Sequence, residues 1–169
     1  MTIERLQVEN FRCLQRLVFE PAPDNTLIVG PNGAGKTSLL EAIFLLGRGR
    51  SFRHTRTRAL IRDGEERLTV GARLVGSDGT TRSTLRVSVD AGGLSARQDD
   101  RAVDRLGELA RRLPVQVIDP EIHKLVEEGP AWRRRFLDWG TFQSGPAFLG
   151  CGSNSGAPCA SGQPPSGGR

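Results

Sequence analysis

Eight residues, Gly30-Pro31-Asn32-Gly33-Ala34-Gly35-Lys36-Thr37, fit the pattern G-x-x-x-x-G-K-[ST] of a phosphate-binding loop, with Ser38 directly after them. Each residue type has a chemical reason to be there. Gly30, Gly33 and Gly35 allow backbone conformations that a Cβ forbids and let the main chain approach a phosphate closely. Successive N–H groups then form an anion nest at the start of a helix, where the helix dipole also favours negative charge. The Lys36 ammonium reaches the β- and γ-phosphates, and the Thr37 hydroxyl is a ligand for Mg2+. The expected cofactors are ATP and Mg2+, held by residues 30–38. Only two of the 24 basic residues are lysine, and one of them, Lys36, occupies the slot where a compact ammonium is wanted.

Such a loop supplies binding, not turnover. Hydrolysis also needs a carboxylate at the end of a neighbouring strand. Val115–Ile118 followed by Asp119, with Glu121 two residues on, has that form. The same residues are equally ordinary punctuation between a strand and a helix N-terminus. On residues alone the two readings balance, which leaves open a small self-contained phosphotransferase using Asp119 or Glu121.

The elements that must position this chemistry follow from periodicity. Leu27–Val29 forms a short apolar run ending at Gly30, and Leu39, Leu40, Ile43, Phe44 and Leu46 recur at helical spacing until Gly47 and Gly49. Before them, residues 3–8 and 14–19 read as paired strands. After them, residues 67–75 and 81–89 alternate around Gly76-Ser77-Asp78-Gly79, a hairpin signal. Val103–Leu113 has helical periodicity and stops at Pro114; Val115–Ile118 is another apolar strand. Glu121–Glu128 and Ala131–Phe142 read as helices. Strands alternating with helices, with an antiparallel hairpin set between them, predict an α/β fold.

Arginine is unevenly placed. Arg48, Arg50, Arg53, Arg56, Arg58 and Arg62 lie within fifteen residues that contain no acid, a pattern suited to phosphates of nucleic acid and equally to a solvated loop. The chain carries a formal +5 with a pI near 10. No apolar run is long enough for a membrane helix, and the polar opening is not that of a secretory signal. Three cysteines fit neither a disulfide framework nor a zinc site. A soluble cytoplasmic protein without a membrane partner is expected. Residues 144–169, with seven Gly, five Ser and four Pro among 26, are expected to be disordered.

Three segments resemble the RecF family of bacterial DNA replication and repair proteins, ABC-type ATPases related to SMC proteins: Glu9–Leu14 (ENFRCL), the GPNGAGKTSLLEAI loop and helix, and GRSFRHTR. The run from Pro120 to Asp138, with its P-E…G-P-x-x-R-R-x-F-L-D pattern, is far more specific than the phosphate loop. The resemblance covers residues 1 to about 143. It implies a P-loop NTPase of the ABC/SMC-head type, here its N-terminal lobe with an antiparallel hairpin region, incomplete at the C-terminus. Residues 1–118 would belong to the ATPase lobe, 119–143 to the start of a helical lobe, and 144–169 to a tail from a shifted or truncated reading frame. It also turns Asp119 away from metal binding, since the family's metal-binding carboxylates and dimer signature lie further along. Implied for the whole protein are an ATP-dependent homodimer, binding to single-stranded and gap-junction DNA, partnership with RecO and RecR, RecA loading at gaps and a part in the SOS response. The fragment would bind ATP without efficient hydrolysis.

Overall fold

The computed structural model describes residues 1–118 together with Pro130 and Arg134. The chain divides into two units, residues 1–118 and 119–169. The expectations for Asp119, Glu121, the helices of residues 121–142, the Pro120–Asp138 run as a whole and the tail lie outside the described residues.

The first unit is a six-stranded sheet with helices on one face. Strands β1 (Thr2–Phe11), β2 (Leu14–Phe19), β3 (Leu68–Val75), β4 (Arg82–Asp90), β5 (Gly93–Gln98) and β6 (Arg101–Ala102) run in the order β2-β1-β3-β4-β5-β6. Every pairing is antiparallel. Helix α1 (Lys36–Arg48), a 3-10 turn (Thr57–Leu60) and helix α2 (Leu106–Arg112) complete it. The period-two patterns appear as strict alternation: in β4, Ser83, Leu85, Val87 and Val89 are buried while Arg82, Thr84 and Arg86 face water.

The core lies between the inner face of the sheet and α1. Leu6 and Val8 of β1, Leu68, Val70 and Leu74 of β3, and Val87 and Val89 of β4 meet Ala42, Leu45 and Leu46 of α1 with no solvent exposure. Each large apolar side chain so buried contributes about 1.5–3 kcal/mol. Helix α1 closes on Gly49 in the left-handed conformation (φ 63°), which donates to the Leu45 carbonyl. Gly47, expected to end the helix, lies inside it and fully packed. A Cβ there would come within 2.6 Å of the Leu113 carbonyl oxygen and of Val115 Cγ2. The chain after α2 passes that close to the helix only because Gly47 has no side chain.

Two expected strands are not formed. Leu27–Val29 and Val115–Ile118 belong to no ladder among the described residues, and Leu27, Val29 and Ile118 are 86%, 78% and 77% exposed. A strand exists through cross-strand hydrogen bonds, so an apolar run with no neighbour to bond remains irregular backbone. Helix α2 is shorter than its periodicity predicted, starting at Leu106 rather than Val103, which instead donates its N–H to the Ala96 carbonyl at 3.0 Å. Strands β5 and β6 had no recognised sequence signal. They turn on Asp99 and Asp100, both at positive φ (48° and 64°), where short polar side chains tolerate the left-handed region. The Asp99 carboxylate accepts from the Thr84 N–H at 2.6 Å and from Ser83 Oγ, which holds its pKa below the usual carboxylate range.

Candidate nucleotide and nucleic-acid site

The glycine-rich loop leads directly into α1. Gly35 is the helix N-cap, in the left-handed region (φ 92°), and Gly33 is also left-handed (φ 82°). Gly35 is required for a second reason: a Cβ would stand 2.8 Å from Leu14 Cδ2 and 3.3 Å from Cys13 Sγ, in the turn between β1 and β2. The first intrahelical bond runs from the Leu39 N–H to the Gly35 carbonyl at 2.9 Å. The N–H groups of Lys36, Thr37 and Ser38 precede it and belong to the set a helix leaves unpaired. No acidic side chain occupies the first turn, and among the described residues no side chain caps it. This is a positive helix end open to an anion.

Lys36 completes the cradle. Its ammonium donates to the carbonyls of Gly30 and Pro31, each at 2.7 Å, which keeps the charge over the loop and leaves a third N–H for an anion. The Thr37 side chain is exposed at the helix start, and Ser38 Oγ lies 3.4 Å from Cys13 Sγ. All nine residues expected at this site thus fall on one continuous loop and helix turn.

One helical turn deeper sits a group that sequence reading passed over. Glu41 is completely buried. Its carboxylate meets the Arg12 guanidinium, Nε at 2.8 Å from Oε2 and Nη2 donating to Oε1 at 3.2 Å, and accepts from the Ser51 hydroxyl. Ser51 Oγ in turn accepts the N–H groups of Arg53 (2.9 Å) and His54 (2.8 Å). Glu41 therefore ties α1, the β1–β2 turn and the start of the arginine segment to one point. The available signal was an acid inside the apolar run Leu39–Leu46, a position that needs a cationic partner. Its partner, 29 residues earlier, is set only by the fold.

The six arginines of the 48–62 segment divide by environment. Arg48 is half-buried against the Phe44 ring, its guanidinium carbon 5.8 Å from the centroid; loss of solvation and then the neighbouring Arg50 pull its pKa down to about 10. Arg62 donates to the Cys13 carbonyl at 3.0 Å, and its own N–H bonds the Asn10 carbonyl, so it fastens the segment to the β1–β2 turn. Arg50, Arg53, Arg56 and Arg58 are exposed. The edge-to-face contact of Phe44 with Phe52, centroids 5.4 Å apart, anchors that basic surface to α1, the helix that starts at the glycine loop. Among the described residues no helix is long and apolar enough to cross a membrane.

Comparison with known proteins places this architecture. Residues 2–124 match the model of the RecF/RecN/SMC N terminal domain. The DNA replication and repair protein RecF of Shewanella baltica is 44% identical over 154 residues, 91% of this chain and 42% of the relative. That of Shewanella pealeana is 41% identical over 148 residues, 88% of this chain and 41% of the relative. The chain thus spans less than half the length of these curated relatives. A match of 154 residues necessarily runs past residue 143, where the resemblance was expected to end. Among solved structures, the recombination mediator RecF with ATP in the RecFOR pathway superposes with a TM-score of 0.72 at 30% identity, over 80% of this chain and 36% of that one. A structure from work on ATP-driven dimerisation and DNA-stimulated activation of SMC ATPases gives 0.67 at 23% identity, over 82% of this chain and 99% of that one. The fold is that of a P-loop NTPase head, as the resemblance implied.

Proposed function

Because the chain belongs to the family of RecF/RecN/SMC N-terminal domains, we propose that its glycine loop holds the triphosphate of ATP and that its exposed arginine segment contacts DNA, as part of a DNA replication and repair ATPase. The observation that carries this reading is the cradle itself: a positive helix end capped by Gly35, with the Lys36 ammonium held over the loop by two carbonyls.

The residues fit a magnesium ion shared with the phosphates. Thr37 would offer the ion a hard hydroxyl oxygen, the kind of ligand this cation favours. Among the described residues no cluster of His, Cys, Asp or Glu stands as a separate metal site. The ion would neutralise charge on the bridging phosphate oxygens. Gly33 and Gly35 give the backbone N–H groups their approach, Lys36 supplies a point charge, and the Glu41–Arg12 pair fixes the pitch of α1 against the β1–β2 turn.

The exposed Arg50, Arg53, Arg56 and Arg58 supply the second half of the reading, a phosphate-contacting surface mechanically joined to the nucleotide helix through Ser51 and Glu41. In the complete protein this coupling would let ATP close a homodimer on single-stranded or gap-junction DNA, with RecO and RecR acting beside it in RecA loading and the SOS response. Residues 1–118 are the ATPase-lobe part of that protein, 119–143 the start of its helical lobe and 144–169 a tail. The division of the chain after Ile118 supports the first boundary. The metal-binding carboxylates and dimer signature expected from the family are not recognisable in this sequence, so binding without efficient turnover is the expected behaviour.

Equilibrium titration of the 169-residue chain with ATP and AMP, each with Mg2+, tests the nucleotide reading. Charge-assisted hydrogen bonds contribute about 1.5–3 kcal/mol each, so ATP should bind at least about tenfold more tightly than AMP. Equal affinities, or no binding of ATP, would contradict it.

A further inference from the structure

The sheet has a second basic surface, on the side away from α1. Across it, Gln7 pairs with Gly71, Gly71 with Arg86, and Arg86 with Arg97; one step along, Arg5 pairs with Arg73. Directly paired residues in an antiparallel sheet project to the same face, so Arg5, Arg73, Arg86 and Arg97 share one face over four strands. They surround a hollow of about 260 Å3. Gly71 sits between Gln7 and Arg86, and the Cβ it lacks would lie 3.9 Å from Arg86 Nε.

Two features set this face apart from an ordinary solvated one. Like charges directly opposite each other destabilise a sheet, and here that arrangement occurs twice, Arg5 against Arg73 and Arg86 against Arg97. Compensation is also partial. Arg5 lies 3.6 Å from Glu20, and Arg73 lies 3.7 Å from Glu4, which Arg82 shares. Among the described residues no ion pair includes Arg86 or Arg97, both exposed, and Asp100 is the one carboxylate lining the hollow.

We propose that this outer face, centred on Arg86 and Arg97 over Gly71, is a second contact surface for the phosphate backbone of nucleic acid, separate from the 48–62 segment. The proposal rests on the DNA reading given above. Guanidinium forks match phosphate oxygens in pairs. Three interstrand steps of about 4.8 Å give a basic strip roughly 14 Å across, about four nucleotide rises of 3.4 Å along a duplex. Among the described residues no aromatic side chain lines the hollow, so they offer no stacking platform, and the contact is to backbone without regard to sequence.

Fluorescence anisotropy of the full chain with a labelled duplex across a salt series tests this. Three proteins are compared: the parent, Arg86→Gln/Arg97→Gln, and Arg53→Gln/Arg56→Gln/Arg58→Gln. The parent should bind, and the log–log salt slope should become shallower by about 0.9 per lost contact, about 2 for the double variant and about 3 for the triple. The double variant should melt no lower than the parent, because relieving the opposed charges favours the sheet. An unchanged slope in the double variant, with a shallower one in the triple, overturns this proposal and leaves the loop reading standing. A parent that does not bind duplex overturns both. Loss of poly-glutamate binding in the double variant with duplex binding intact overturns it in favour of an acidic protein partner.

Discussion

Glu41→Ala should strongly destabilise this domain. The substitution removes a completely buried carboxylate and leaves the Arg12 guanidinium, only 22% exposed, without its anion. It also leaves the Ser51 hydroxyl without its acceptor. Breaking a buried pair by deleting one partner costs about 3–5 kcal/mol, because the remaining charge stays desolvated. Total stabilities are about 5–15 kcal/mol, so this one change would consume a large share of the whole. Arg12 retains some water contact, which places the expected loss toward the lower end of the range. The double variant Glu41→Leu/Arg12→Met separates the causes, since replacing both charges by apolar groups of similar size leaves no charge unpaired and only the Ser51 hydroxyl without its acceptor. Chemical denaturation should show the single variant losing several kcal/mol and the double variant regaining most of it. A single variant as stable as the parent would mean that the pair is not buried in solution.

Lys36→Ala should leave the fold intact and remove most of the nucleotide affinity. The Lys36 side chain is at the surface and spans its own loop, donating to Gly30 and Pro31 at 2.7 Å. Its loss therefore frees two carbonyls to water, at little cost to the core. Toward a triphosphate the N–H that is left makes a charge-assisted hydrogen bond of about 1.5–3 kcal/mol, so losing it weakens binding by roughly 10- to 150-fold. Melting temperature measured without nucleotide should be nearly unchanged, while the shift produced by ATP should vanish. Lys36→Arg should rescue only in part, because a planar fork does not replace a compact ammonium in a tight loop.

These two residues differ in how far the sequence announced them. Lys36 sits in a contiguous pattern whose every residue acts locally, through backbone conformation, helix polarity and side-chain reach. The loop was therefore legible before any fold was known, and so were the 68–75 and 82–90 strands, whose alternation reflects one buried face. Glu41 was not legible, because its meaning depends on Arg12 and Ser51, brought to it by tertiary packing. The same dependence explains Leu27–Val29 and Val115–Ile118. Their side-chain pattern is that of buried strands, but a ladder requires a neighbour, and among the described residues none is supplied. The arginine cluster was visible as composition, whereas its division into Arg48 on Phe44, Arg62 on the Cys13 carbonyl and four exposed guanidinium groups came only from the fold. Arg86 and Arg97 escaped notice altogether, since residues 11 apart in sequence become neighbours only through the β4–β5 register.

Among the described residues, nucleotide is expected at the N-terminus of α1. Hydrogen–deuterium exchange with and without ATP and Mg2+, on the parent and on Lys36→Ala, reads that location directly. Protection is expected at the amides of Gly33 to Ser38, with weaker protection extending along α1 to Glu41, and it should be absent from the Lys36→Ala variant. Protection centred on any other segment, or equal protection in the parent and the variant, would rule out nucleotide binding at this helix end.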